Sequence, residues 1–288
     1  MYKVSAKELL LWIQKITNRY GDNDSLYLLL DLEGGISKRD LNSIKINPVA
    51  NIELKKSIYN LELMWEDHIQ NNTPIQYLCQ KTYWRDFELE VSKNVLIPRV
   101  ETEQIIEISL NICPNKENIL FADLGTGSGA IGIALAVKKP SWKGFCTDID
   151  KNALEIARKN FERISKNTNL DFYCGNWWEP LLDFAGNIDI AISNPPYIPN
   201  DLYEKLSLSV KNFEPRISLT GGNDGLIHIR KIIQDAPEFL KKGGWLILEN
   251  HFDQGHEIKN LFLRNGFGSI KIIKDYFGIG RFTIGRYK

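Results

Sequence analysis

From Glu101 onward, apolar runs of strand length alternate with longer segments of helical period, and few architectures accept that order. The strand-length runs cover 119–122, 145–147, 171–174, 188–193 and 245–250; the helical segments cover 129–137, 152–164, 226–240 and 253–264. A run such as 188–193, with four apolar residues in six, suits a strand covered on both faces. Parallel strands need a crossover of about a dozen residues, which the helical segments supply. A doubly wound α/β domain is therefore expected, with a parallel sheet and helices on both faces. The last two runs, 270–273 and 282–286, are joined without a helix and predict an antiparallel end to the sheet.

The first part of the chain has a different period. Ser5 is placed to cap a helix whose apolar face carries Leu9, Ile13 and Ile16, and Leu54, Ile58, Leu61 and Trp65 repeat at three- and four-residue spacing. Gly34-Gly35 and Asn47-Pro48 break the stretch between them. A small all-α domain over residues 1–73 is expected. Asn71-Asn72-Thr73-Pro74 marks its exit, and residues 83–98 alternate like two strands around Ser92-Lys93-Asn94, so a β-hairpin linker over 74–103 leads into the main domain, 104–288.

Composition removes several functional classes. The 36 Lys and Arg balance 36 Asp and Glu, whereas a duplex-binding protein usually carries a basic surplus to neutralise phosphate. Nucleic acid is thus not the expected partner. No apolar run reaches the roughly 20 residues that cross a bilayer, and Glu8 and Lys15 interrupt the apolar N-terminal stretch, which reads as an amphipathic helix and not a signal peptide. A cytoplasmic monomer is expected, with no membrane association. Cys79, Cys113, Cys146 and Cys174 lie far apart and share no ligand spacing with the histidines, so no metal site is expected.

Asp123-Leu124-Gly125-Thr126-Gly127-Ser128-Gly129 lies between a predicted strand and helix, where glycines let the chain turn sharply and bring backbone amides up to a ligand. A glycine turn alone is weak evidence. Its Gly-x-Gly-x-Gly spacing departs from the dinucleotide fingerprint, and Asp123 suits the cationic amino group of a methionine moiety better than a pyrophosphate. Asp148 ends the next strand about twenty residues on, where an acid can accept both hydroxyls of a ribose. Asp150 is the better cap for the helix that follows. In Asn176-Trp177-Trp178, Trp177 is placed to lie against an adenine and Asn176 to pair with its edge, while Trp178 is expected to be core.

Asn194-Pro195-Pro196-Tyr197 closes the 188–193 strand and carries the most chemistry. Two prolines can simply stop a strand, which leaves the asparagine and tyrosine unexplained. The Asn194 carboxamide oxygen and the Pro195 carbonyl can accept both N–H bonds of a planar amide or amine. That orients its poorly nucleophilic nitrogen and stabilises the positive charge that builds on it. Pro195 would hold the carbonyl rigidly, and Tyr197 can stack on the planar group and favour a cationic methyl. No general base is required at the start. The motifs point to methyl transfer from S-adenosylmethionine to nitrogen.

In this order the residues resemble the release-factor glutamine methyltransferases. Asn-Pro-Pro-Tyr alone also occurs in adenine-N6 DNA and guanine-N2 RNA methyltransferases. The likeness is narrowed by Pro74 to Leu78, Leu96 to Glu103, Phe213-Glu214-Pro215 and Asp275 to Gly285. It implies a class I S-adenosylmethionine-dependent methyltransferase sheet, with Gly125, Thr126, Gly127, Ser128, Gly129, Asp148, Asn176, Trp177 and Asn194 holding the cofactor. It implies that Asn194, Pro195, Pro196 and Tyr197 hold the glutamine of the Gly-Gly-Gln loop of class-1 peptide chain release factors, with the helical domain helping to hold the factor. Three positions depart from the family pattern: Val100 stands in place of a second proline, Gln80 in place of a glycine and Asn176 in place of an aspartate. A ribosomal-protein glutamine methyltransferase, a nucleic-acid base methyltransferase and a non-catalytic relic of the cofactor site are the alternatives.

Overall fold

In the computed structural model, which describes every residue except 22–23, 49–50, 114–115 and 166–167, the chain divides into two units, Met1–Thr82 and Tyr83–Lys288. The first unit opens with β1 (Tyr2–Ser5), after which the Ser5 hydroxyl accepts the Glu8 amide at 3.2 Å and starts α1 (Ala6–Tyr20). Leu9, Trp12, Ile13 and Ile16 form its buried face. Then come α2 (Asp24–Leu29), α3 (Lys38–Ile46), β2 (Asn51–Leu54), α4 (Ile58–Asn71) and α5 (Ile75–Cys79). Ser37 and Asp40 make a capping box at the start of α3, and Ser57 caps α4. The unit is not all-α. β1 and β2 pair antiparallel with Val4 opposite Ile52, so Leu54 belongs to a ribbon and the helical repeat begins after it. Val4, Ile52 and Leu54 are turned into the helical core with Leu61 and Trp65.

The division between the units falls within β3 (Lys81–Trp84), the first strand of a hairpin completed by β4 (Phe87–Glu90). Its turn is Arg85-Asp86, with Arg85 at φ 51°, and not Ser92-Lys93-Asn94. The latter is a genuine turn, closed by Val95 N–H to the Ser92 carbonyl at 3.0 Å, but residues 95–98 after it form no strand. Charge holds the real turn in place: the Arg85 amide donates to a Glu103 carboxylate oxygen at 2.9 Å.

The rest of the second unit runs α6 (Gln104–Ile112), β5 (Leu120–Leu124), α7 (Ala130–Lys138), β6 (Lys143–Asp148), α8 (Lys151–Ile164), β7 (Asn169–Cys174), β8 (Ile188–Ser193), α9 (Asn200–Tyr203), α10 (Leu208–Phe213), α11 (Ile227–Phe239), β9 (Leu240–Glu249), α12 (Gly255–Arg264), β10 (Phe267–Lys274) and β11 (Gly280–Tyr287). The seven-stranded sheet has the order β10-β11-β9-β8-β5-β6-β7. β9, β8, β5, β6 and β7 are parallel, and β10 and β11 form the antiparallel end, with β11 next to β9. On one face Phe121, Ile192, Ile247 and Phe282 pack with residues of α6, α7 and α8. On the other, Ala122, Leu124, Leu246 and Leu248 meet Ile229, Ile232 and Ile233 of α11 and Ile258 and Phe262 of α12. Each such Leu, Ile or Phe side chain contributes about 1.5–3 kcal/mol on leaving water. From β5 the chain continues to β6 on one side, while β8 lies on the other, so the strand order reverses at β5. In a doubly wound sheet the crevice opens at that reversal, beyond the carboxyl ends of the strands.

Candidate active site

Because β5 to β8 are parallel, their last residues come out on one edge: Leu124 before Gly125, Asp148, Cys174 before Gly175, and Ser193 before Asn194. An open cleft lies there, lined by Gly125, Thr126, Gly127, Ser128, Asp148, Asn176, Trp177, Asn194 and Pro196. Gly129, Pro195 and Tyr197 do not line it.

The three loop glycines all have left-handed φ values (74°, 56° and 83°), for different reasons. A Cβ on Gly125 would stand 2.8 Å from the Trp177 ring, and one on Gly129 would stand 2.9 Å from Ile133 behind the loop. At Gly127 a Cβ would meet nothing within 4 Å, so its backbone faces open space. The amides of Gly125 and Thr126 both donate to the Thr147 carbonyl (2.8 and 2.9 Å), which ties the loop to β6.

Asp123 has a different task from the one its neighbourhood suggested. It is fully buried, and one carboxylate oxygen accepts the Thr126 hydroxyl at 2.6 Å and the Gly132 amide at 3.0 Å. Gly132 lies in the first turn of α7, where backbone N–H groups lack helical partners, so Asp123 caps the helix from the preceding strand and braces the loop. Burial pushes its carboxyl up to about 6, against the Thr126 and Gly132 hydrogen bonds, which favour the charged form.

Asp148 accepts the Gly127 amide at 2.8 Å on one oxygen and the Asp150 amide at 3.0 Å on the other. Each oxygen keeps a lone pair that a hydroxyl can use. Asp150 caps α8 through the Asn152 amide at 2.8 Å. Trp177 has φ 50°, and its indole packs between Gly125 and His228, whose ring centroid is 5.5 Å away. Trp178 is core: it stacks on Phe239 at 5.0 Å and donates to the Ile232 carbonyl at 3.0 Å. Asn176 lines the cleft, and its side-chain N–H lies 3.4 Å from Glu179.

At the end of β8 the Ser193 hydroxyl donates to the Leu124 carbonyl at 2.6 Å, locking the strand ends together. Asn194 donates its side-chain N–H to the Thr102 hydroxyl oxygen at 3.2 Å, and Thr102 donates to Glu249 at 2.7 Å. The Tyr197 hydroxyl donates to the other Glu249 oxygen at 3.2 Å. Gln254 donates to the Tyr197 and Asp224 carbonyls (2.9 and 3.2 Å) and so clamps the tetrapeptide to the loop before α11. Burial raises the Glu249 carboxyl to about 7, opposed chiefly by the Thr102 hydroxyl and the Arg281 charge. It also raises the Tyr197 phenol, with the nearby Glu249 charge adding to the effect. Arg99 and Glu214 pair at 2.6 Å and bring the 96–103 segment against the 213–218 segment, both of which line the cleft.

The site fits a nucleoside that carries a cationic chain. A carboxylate, exposed backbone at Gly127 and an indole face line it, and no Lys or Arg is among the lining residues to hold a pyrophosphate. Sequence reasoning did not identify Thr102 as a site residue, and it missed Glu249, Gln254 and His228. A trace was legible: Glu249 is a charged residue directly after the apolar run Trp245-Leu246-Ile247-Leu248 at the carboxyl end of its strand, where sites on such sheets lie. Among the described residues no helix is long and apolar enough to cross a membrane, and no cluster of metal-ligating side chains occurs.

A family model described as methyltransferase small domain matches residues 107–209. A release factor glutamine methyltransferase of Prochlorococcus marinus is 39% identical over 97% of this chain and 96% of its own length. Another with that name from Neisseria gonorrhoeae is 40% identical over 75% of this chain and 78% of its own length. Among solved structures, the hMettl16 catalytic domain in complex with the MAT2A 3'UTR hairpin 6 superposes with a TM-score of 0.58 at 15% identity, covering 94% of both chains, and shares the fold.

Proposed function

The chain belongs to the release factor glutamine methyltransferases, and from that premise we propose that it methylates the side-chain amide nitrogen of the Gly-Gly-Gln glutamine in class-1 peptide chain release factors. The single observation that carries this reading is the orientation of Asn194. With its N–H given to Thr102, its carboxamide oxygen is left to accept from a substrate amide in the cleft.

S-adenosylmethionine, when bound, supplies the electrophilic methyl group. The chain's own residues do the rest. Asp148 would take the ribose hydroxyls, Trp177 and Asn176 the adenine, and the 125–128 backbone the methionine portion. Asn194 Oδ1 and the Pro195 carbonyl would accept the two N–H bonds of the glutamine amide and fix its plane. The positive charge that builds on nitrogen then meets preorganised acceptors, so no base is needed before transfer. Tyr197, held by Glu249 and Gln254, supports the loop that presents those acceptors. The mainly helical unit Met1–Thr82 is the proposed docking element for the factor. Support for that comes from the relative whose likeness spans almost the whole chain. The reaction is proposed to take place in the cytoplasm, where the factor meets the ribosome.

Replacing Asn194 by Ala tests the reading. Methyl transfer to a release factor is expected to fall by about 10²–10³, the scale of one preorganised polar contact, with cofactor affinity largely kept. Activity equal to the parent chain would refute the role given to Asn194.

A further inference from the structure

Asn194 can serve the reaction only if its carboxamide is turned one way, and nothing in its own chemistry decides which. A carboxamide is nearly symmetric in shape, and its oxygen and nitrogen exchange places by rotation. We propose that Glu249 is a positioning residue that sets this orientation through the Thr102 hydroxyl.

The argument is one of hydrogen-bond polarity. An ionised carboxylate only accepts, so both hydroxyls that touch Glu249 must donate to it: Thr102 at 2.7 Å and Tyr197 at 3.2 Å. Thr102 has then spent its proton, and it offers Asn194 a lone pair. Asn194 answers with its N–H at 3.2 Å, and its oxygen is directed away from Thr102. The relay is well shielded: Glu249 is 1% and Thr102 4% exposed, so water does not compete for these bonds. If Glu249 takes up a proton, it becomes a donor to one of the two hydroxyls. When that hydroxyl is Thr102, its own proton turns toward Asn194, and the carboxamide is stable only with its N–H₂ reversed. The charged groups around Glu249 are Arg281 on β11, itself paired with Asp275 at 2.8 Å, and Glu101 on the turn before α6. Arg281 favours the ionised form and Glu101 opposes it.

This inference rests on the methyltransferase reading, and its test separates the two. Thr102→Val keeps the shape and removes the relay oxygen. Its kcat is expected to fall by about 10–10²-fold, within the range of a lost preorganised contact, with Thr102→Ser restoring most of it. Glu249→Gln, which cannot accept from both hydroxyls, is expected to lower kcat and to abolish any rise of kcat through pH 7. In both variants the affinity for S-adenosylmethionine should stay near that of the parent chain, and near pH 5, where the buried carboxyl is neutral, so should the unfolding temperature. The ligand-free protein gives an independent readout. The side-chain ¹⁵N–¹H signals of Asn194 should shift with pH around 7, where Glu249 titrates, and lose that shift in Glu249→Gln. An Asn194 signal that ignores pH across this range, or a Thr102→Val variant as active as Thr102→Ser, would overturn the relay. Loss of activity in Asn194→Ala together with either of those results would leave the methyltransferase reading standing without it.

Discussion

A glycine inside a helix normally costs stability, so Gly132 in the first turn of α7 calls for a reason, and the reason gives a quantitative test. Exchanging glycine for alanine in a helix is worth about 0.5–1 kcal/mol in favour of alanine. Here a Cβ on Gly132 would lie 2.4 Å from the Cys146 sulfur and 3.2 Å from the Asp123 carboxylate oxygen that caps the helix. Cys146 and Asp123 are both fully buried, so neither can move into solvent. Overpacking of this kind costs about 1–3 kcal/mol, so Gly132→Ala is expected to destabilise the protein by about 1–2 kcal/mol despite the helix gain. Removing the sulfur relieves the clash. Cys146→Ala alone should lose about 1–2 kcal/mol through its small cavity, and the double variant should be no worse than either single one. That corresponds to a favourable coupling above about 1 kcal/mol, read from urea unfolding of the four proteins. Displacing Asp123 also loosens the 125–128 loop, so cofactor affinity should fall in Gly132→Ala and recover in the double variant. A Gly132→Ala protein more stable than the parent chain, or a strictly additive cycle, would refute the packing argument.

Three further outcomes follow from the same structure. The Glu249 carboxyl is raised by burial to about 7 from an ordinary value near 4.5, so the folded chain binds its proton more tightly than the unfolded chain; the stability this gives is full below 4.5 and is lost as pH rises through 7. Glu249→Gln should therefore unfold at a higher temperature than the parent chain at pH 8, with the difference shrinking toward pH 5 in parallel melts; a constant difference would remove the buried charge as its cause. Gln80 ends α5 in the left-handed region (φ 56°, ψ 24°) with its side chain exposed, so Gln80→Gly should stabilise by about 0.5–1 kcal/mol in chemical unfolding, and a loss would show that the strain is compensated. Asp148→Ala leaves the Gly127 amide without its acceptor and removes the ribose carboxylate, so calorimetry should show S-adenosylmethionine affinity down by at least about 10-fold, the scale of a charged hydrogen bond.

What could be read in advance follows the range of the forces involved. β8 was delimited to the residue because a strand covered on both faces is mainly apolar, as Ile188, Ile190, Ala191 and Ile192 are, and the Asn194-Pro195-Pro196 turn stops it. Ser5 and Asp150 were recognised as caps because a cap acts within three residues of itself. The β3–β4 turn was misplaced because Arg85-Asp86 has none of the glycine or asparagine chemistry that advertises a left-handed position, while Ser92-Lys93-Asn94 has it and turns without starting a strand. The β1–β2 ribbon was missed because the alternation of Asn51–Leu54, though regular, runs for only four residues and is too short to outweigh the helical period nearby. Val100, which departs from a proline, adopts φ −63°, the value proline imposes, so the substitution leaves the backbone path unchanged. At the site, residues next to the glycine loop and the tetrapeptide were legible from their own motifs. Thr102 and Glu249 were not, since they meet across 147 positions of sequence and their contact exists only once the sheet has formed.

The central claim is that this cleft methylates a glutamine amide on a release factor, and one labelling experiment addresses it. The purified chain is incubated with methyl-labelled S-adenosylmethionine and unmethylated class-1 release factor. A factor whose Gly-Gly-Gln glutamine is changed to alanine, a ribosomal protein fraction and bulk nucleic acid run in parallel. Label on the unaltered factor, absent from the glutamine variant and from the other two, is the predicted result. Label that persists on the glutamine variant, or that goes to ribosomal protein or nucleic acid while the factor stays unlabelled, would contradict the account.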